Sequence, residues 1–140
     1  KVMASVHHVD FIKDLIISTT STGLYDINNN KLATANIIGS GNYAYSKVVE
    51  LSPKSIEHIL TATCEGCTVE IALEMSPDGD NWCPCNLSSG SACQFECTAA
   101  VGDCTTQTID VPVLQFARIK IGNAGSSGGS CDVKINFTLN

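Results

Sequence analysis

Eight cysteines dominate the chemistry open to this chain of 140 residues. Five of them, Cys83, Cys85, Cys93, Cys97 and Cys104, fall in NWCPCNLSSGSACQFECTAAVGDC, residues 81–104. Cys64 and Cys67 lie just upstream, and Cys131 stands alone further along. Three chemistries compete for them. In the first, all eight pair in disulfides, as an even count in a loop-rich region allows in an oxidising compartment. About two dozen residues without secondary structure are rare in a compact domain unless something pins them. Each cross-link would contribute on the order of 2–4 kcal/mol by restricting the unfolded chain. Connectivity stays open, because eight cysteines allow about 105 full pairings.

Zinc is the second chemistry. Cys64-x-x-Cys67, fifteen residues and Cys83-x-Cys85 approach a four-thiolate spacing. The downstream half is Cys-Pro-Cys, however, and the other four cysteines go unused. The third is haem or redox chemistry at Cys64-Glu65-Gly66-Cys67. Thr68 follows where haem attachment wants His, and no βαβ pattern surrounds the motif.

The remaining titratable groups give less. His7, His8 and His58 are the only histidines, and no nucleophile–base arrangement follows from their spacing. Asp78, Asp80 and Asn81 offer oxygens, but without the ligand spacing of a calcium loop, so they read as turn residues. No metal, cofactor or catalytic residue is expected, and the chain reads as a non-enzyme. Asn86-Leu87-Ser88 and Asn136-Phe137-Thr138 are N-glycosylation acceptors if the chain is secreted by a glycosylating host.

Composition narrows the partners. The net charge is −6 and the pI about 4.8, with only Arg118 and seven scattered lysines as cations. Nucleic acid and anionic membrane surfaces need a basic patch, so neither is an expected partner. No run of eighteen apolar residues suggests a membrane-spanning helix. The start KVMASVHHVDFIKDLIIS is interrupted by Asp10, Lys13 and Asp14 and does not read as a retained signal peptide.

The elements that would position these groups are strands. TVEIALEM alternates Val69, Ile71, Leu73 and Met75 with Thr68, Glu70, Ala72 and Glu74. CDVKINFTL alternates Val133, Ile135, Phe137 and Leu139 with polar residues, and FARIKIG sets Ala117, Ile119 and Ile121 opposite Arg118 and Lys120. QTIDVPV, SKVVEL and SIEHILTA complete six candidate strands after residue 45, Pro112 marking an edge or a strand end. SPDGDN and GNAGSSGGS are the turns. Before residue 46, VHHVDFIKDLII fits a short amphipathic helix, while the β-branched density of DFIKDLIIST favours a strand. Short strands are expected around Tyr25–Ile27 and Ala35–Ile38. The expected architecture is all-β: a single antiparallel β-sandwich, jelly-roll or immunoglobulin-like. Residues 1–45 form an N-terminal arm with short first strands. Residues 46–140 form the core, with a disulfide-rich loop over 83–106.

The stretches MSPDGDNWCPC and QFARIKIGNAGSSGGSCDVKINFTL resemble small β-sandwich modules of bacteriophage virions, of the decoration, tail and fibre type. The resemblance runs over roughly residues 47–140, and the cysteine-rich insertion departs from it. It implies a turn Trp, here Trp82, packed at the end of the sandwich. The reading that follows is a self-assembling subunit of a virion surface, tail or extracellular filament. Its partners would be copies of itself and other virion or appendage proteins. An edge of the sheet could accept the N-terminal arm of the next copy, or the arm could pack on its own domain. The alternative is a secreted carbohydrate-binding module using Tyr43, Tyr45 and Trp82 as sugar contacts. Either role places the chain outside the cell.

Overall fold

A computed structural model describes residues 7–51, 58–64, 68–84, 93–98, 104–109, 114–125 and 132–139. Among the described residues there are ten strands and no helix. In chain order they are β1 (His7–Ile16), β2 (Tyr43–Tyr45), β3 (Val49–Glu50), β4 (His58–Cys64) and β5 (Thr68–Ser76). The rest are β6 (Cys83–Pro84), β7 (Gln94–Thr98), β8 (Cys104–Ile109), β9 (Phe116–Gly122) and β10 (Asp132–Leu139). The fold is all-β, and every strand pairing is antiparallel.

Two sheets result. The smaller runs β1-β10-β4-β8, and the larger runs β2-β9-β5-β6, with β3 also on β9 and β7 also on β5. Alternation decides which way each strand faces. Along β5, Val69, Ile71, Leu73 and Met75 are buried while the residues between them are half-exposed. Along β9, Ala117, Ile119 and Ile121 have no exposed surface. They join Leu15, Leu60 and Ala62 of the smaller sheet in one apolar cluster. Burying this surface is the main favourable term in folding.

The N-terminal segment packs on its own chain. β1 is an edge strand of the smaller sheet, hydrogen-bonded to β10 of the same chain. Its register shifts twice, between Asp10 and Ile12 and between Ile12 and Leu15. The first shift lets the adjacent Phe11 and Ile12 both turn inward. Leu15, Ile17, Leu24 and Ile37 then enter the same core as the later strands. The helical alternative fails because β10 supplies a pairing partner that local sequence does not reveal. The short strands expected around Tyr25 and Ala35 are single bridges: Ser21 with Ala35, Tyr25 with both Lys31 and Tyr45, and Ile38 with Ala124.

The stretch 83–106 is also not the strand-free loop its composition suggested. β6, β7 and the start of β8 lie in it, and β7 pairs with β5 so that Phe95 stands opposite Ile71. Long-range pairing engages the β7 backbone, a contact that local rhythm does not encode. Strand SKVVEL shortens to Val49–Glu50, because Ser46 interrupts the edge. Its hydroxyl accepts the Ile119 N–H at 2.9 Å, and its own N–H donates to the Ile119 carbonyl at 2.8 Å. Val111, Pro112 and Val113 lie outside the described residues.

Candidate functional site

The richest set of side chains sits on the outward face of the larger sheet. Strand alternation turns Glu70, Ala72 and Glu74 of β5 away from the core, with Arg118 and Lys120 of β9 and Tyr43 and Tyr45 of β2. Register then aligns them in rows. Tyr43, Gly122 and Glu70 form one row; Tyr45, Lys120 and Ala72 the next; Arg118 and Glu74 a third.

Arg118 is the centre of this face. Period-two reading makes it a solvent-facing residue, yet it is only 2% exposed. Its Nε donates to Glu74 Oε1 at 2.8 Å, and its Nη1 to the Ile27 carbonyl at 2.6 Å. The guanidinium carbon lies 4.3 Å from the ring centroids of both Tyr45 and Trp82. The aromatic π-faces attract the cation, and the planar guanidinium is weakly hydrated enough to accept burial between them. One side chain therefore ties together β9, β5, β2, the turn before β6 and the loop at residue 27.

Both flanking turns are built by an aspartate. Asp78 Oδ1 accepts the N–H groups of Asp80 and Asn81, each at 2.8 Å, and its Oδ2 accepts Asn81 Nδ2 at 2.7 Å. These bonds hold the Asp78 carboxyl well below the usual carboxylate range. Gly79, at φ 84°, supplies the left-handed residue the turn requires. In the DINNN turn, Asp26 Oδ1 accepts the N–H groups of Asn30 and Asn28 at 2.9 Å each. The Asn30 bond chiefly lowers its pKa. Asp78 is thus a turn builder, with its oxygens already engaged.

At the other end of the face, the Tyr43 hydroxyl donates to Glu70 Oε2 at 2.6 Å, and Asn123 Nδ2 donates to Oε1 at 2.7 Å. The Tyr43 bond, followed by the Asn123 bond, lowers the Glu70 pKa. The same bond raises that of Tyr43. Lys120 Nζ lies 4.4 Å from the Tyr43 ring centroid. To reach Glu70 across β9, Tyr43 crosses Gly122; a Cβ there would collide with the Asn42 carbonyl and the Tyr43 backbone.

The three residues named as sugar contacts are therefore brought to one face. Tyr45 and Trp82 share Arg118, and Tyr43 is stacked with Lys120. Trp82 is not part of the buried core that a plug at the end of the sheets would join. Sequence reasoning missed Arg118 and Glu74. Their convergence with Tyr45 and Trp82 depends on register, and the unusual lone arginine was the one signal available.

The described cysteines fall at different places along the sheets. Cys64 ends β4 and Cys104, which begins β8, stands opposite Thr63; Cys97 on β7 stands opposite Val69, near the start of β5. Cys93 is buried, 2% exposed, and disulfide-bonded. Cys83 is an exposed free thiol opposite Met75, a correction to the pairing of all eight. From Thr68 to Met75, β5 spans roughly 24 Å at about 3.4 Å per residue. Cys83, opposite Met75, therefore lies at the far end of that strand from Thr68. Cys67, Cys85, Cys131 and Asn86 lie outside the described residues. Asn136 is on β10, in register with Asp10 and Thr61. His7 and His8 are on β1, and His58 is on β4, opposite Ile109 of β8.

Compared with family models, curated proteins and solved structures, the chain matches none.

Proposed function

We propose that this chain is a non-enzymatic structural protein, a self-assembling subunit of a virion surface or tail or of an extracellular filament. The observation that carries this reading is how the ionisable groups of the described face are used. Arg118 and Glu74 fasten strands, Glu70 anchors Tyr43, and Asp26 and Asp78 build turns. Such a surface suits a rigid building block. That the two sheets contribute to one apolar cluster supports reading the fold as a β-sandwich. The gathering of Cys64, Cys97 and Cys104 near one end, with Cys93 already bonded, favours a disulfide-rich module in an oxidising setting.

The second reading, a secreted carbohydrate-binding module, draws on Tyr43, Tyr45 and Trp82 sharing a sheet face. Sugar stacking needs open ring faces, and Tyr45 and Trp82 each commit one to Arg118. One experiment separates the two. Native protein is followed by sedimentation velocity and negative-stain microscopy across concentration, beside retention on a polysaccharide panel. Concentration-dependent assemblies without retention are expected. A monomer at every concentration, retained on one polysaccharide and released by Tyr43→Ala, would overturn the structural reading.

A further inference from the structure

We infer that the outer edge of β8 is the surface through which two copies of this chain pair. The inference rests on the self-assembly reading above and names its contact. β8 closes the smaller sheet at one side, and among the described residues its single ladder partner is β4. An edge strand presents unpaired N–H and C=O groups and templates another strand unless something blunts it.

The other long edges are blunted. β1 carries two register shifts and exposes Asp10, Lys13 and Asp14. β2 is bridged on its outer side by Tyr25, whose N–H donates to the Tyr45 carbonyl at 2.8 Å and whose carbonyl accepts the Tyr45 N–H at 2.9 Å. β7 carries Glu96. Among the described residues, β8 has none of these devices. Its six residues, CTTQTI, are uncharged, and they pair with β4 in continuous register from Cys104–Thr63 to Ile109–His58. Threonine-rich, proline-free strands of this kind favour extended pairing.

A second copy is the occupant that fits. Each chain carries −6, so copies repel wherever like charges meet, and β8 offers an edge where none do. A two-fold axis perpendicular to the sheet makes the strands antiparallel and keeps each face on its own side. Thr106 and Thr108, in register with Thr61 and Ile59, lie on the face where Ile59 is 37% exposed. Under that symmetry Thr106 meets Thr106 or Thr108 of the second copy, a favourable cross-strand pair.

The test is a charge swap at Thr106, on the full chain, read by sedimentation equilibrium. Thr106→Lys and Thr106→Glu should each weaken self-association about tenfold or more, by setting like charges together across the axis. Their equimolar mixture should restore it, which also shows that both variants are folded. Backbone hydrogen exchange in the unaltered protein gives a second reading, with β8 amides gaining protection as concentration rises. Association unchanged in both variants would move the contact elsewhere and leave the assembly reading standing. Loss of association that mixing does not restore, with no concentration-dependent protection in β8, overturns the pairing. An unaltered protein that stays monomeric overturns both.

Discussion

Arg118 shows what one side chain must satisfy when it leaves water as a cation. Its charge meets Glu74, one N–H reaches the Ile27 carbonyl, and two aromatic faces replace part of its hydration. Arg118→Met would leave the largely buried Glu74 carboxylate and that carbonyl without their partner, and we expect a loss of about 3–4 kcal/mol. Arg118→Lys keeps the charge but not the planar fork, and should cost about 2 kcal/mol. Urea unfolding with an unchanged slope measures both; equal stability of the lysine variant would remove the stacking argument. The carboxylates give a pH dependence. Asp26, Glu70 and Asp78 all have lowered folded-state values, so their contribution is present above the unfolded range near pH 4 and is lost as pH falls through the folded values. Tyr43 is raised, so its contribution holds below about pH 10 and is lost as pH rises through its folded value. A melting-temperature profile should show a plateau between these limits. Asp78→Asn should lower the plateau and shrink the acid drop. An unaltered acid drop in that variant would contradict the assignment.

Among the elements, the row Tyr43–Gly122–Glu70 is the most sensitive to a single atom. Gly122→Ala places a methyl against the Asn42 carbonyl and the Tyr43 backbone, forcing β2 away from β9. We expect a loss of about 3 kcal/mol, read by thermal or urea unfolding, with β2 amides exchanging first. Much of this architecture was legible in the sequence. The alternations in TVEIALEM, FARIKIG and CDVKINFTL correspond to β5, β9 and β10, and every apolar position that alternation selected along β5 and β9 is buried, while Ser76, Arg118 and Gly122 are buried outside that pattern. What stayed hidden depends on partners distant in the chain. β7 has no rhythm of its own and exists through its pairing with β5. The bulges of β1 set Phe11 and Ile12 on the same side, which disguises a strand as a helical pattern. The candidate face was hidden for the same reason, since Tyr45, Trp82, Glu74 and Arg118 meet only once register is fixed.

At the scale of the whole molecule, the two sheets present different surroundings. The outward face of the larger sheet is crossed by aromatic, cationic and anionic side chains that fasten it from edge to edge. The smaller sheet ends in one bulged, charged edge and one regular, uncharged edge, an asymmetry suited to a unit that pairs on one side. Its central position belongs to a late arrival. β10 lies between β1 and β4, and the chain runs from Ile16 to Asp132 before β1 meets the strand that holds it. During translation, the emerging chain therefore carries β1 and β4 without the member that joins them. The smaller sheet cannot close until β10 has left the ribosome. Closure by such a distant segment makes folding slow relative to local pairing, and it exposes two waiting strands to neighbours while synthesis is still under way.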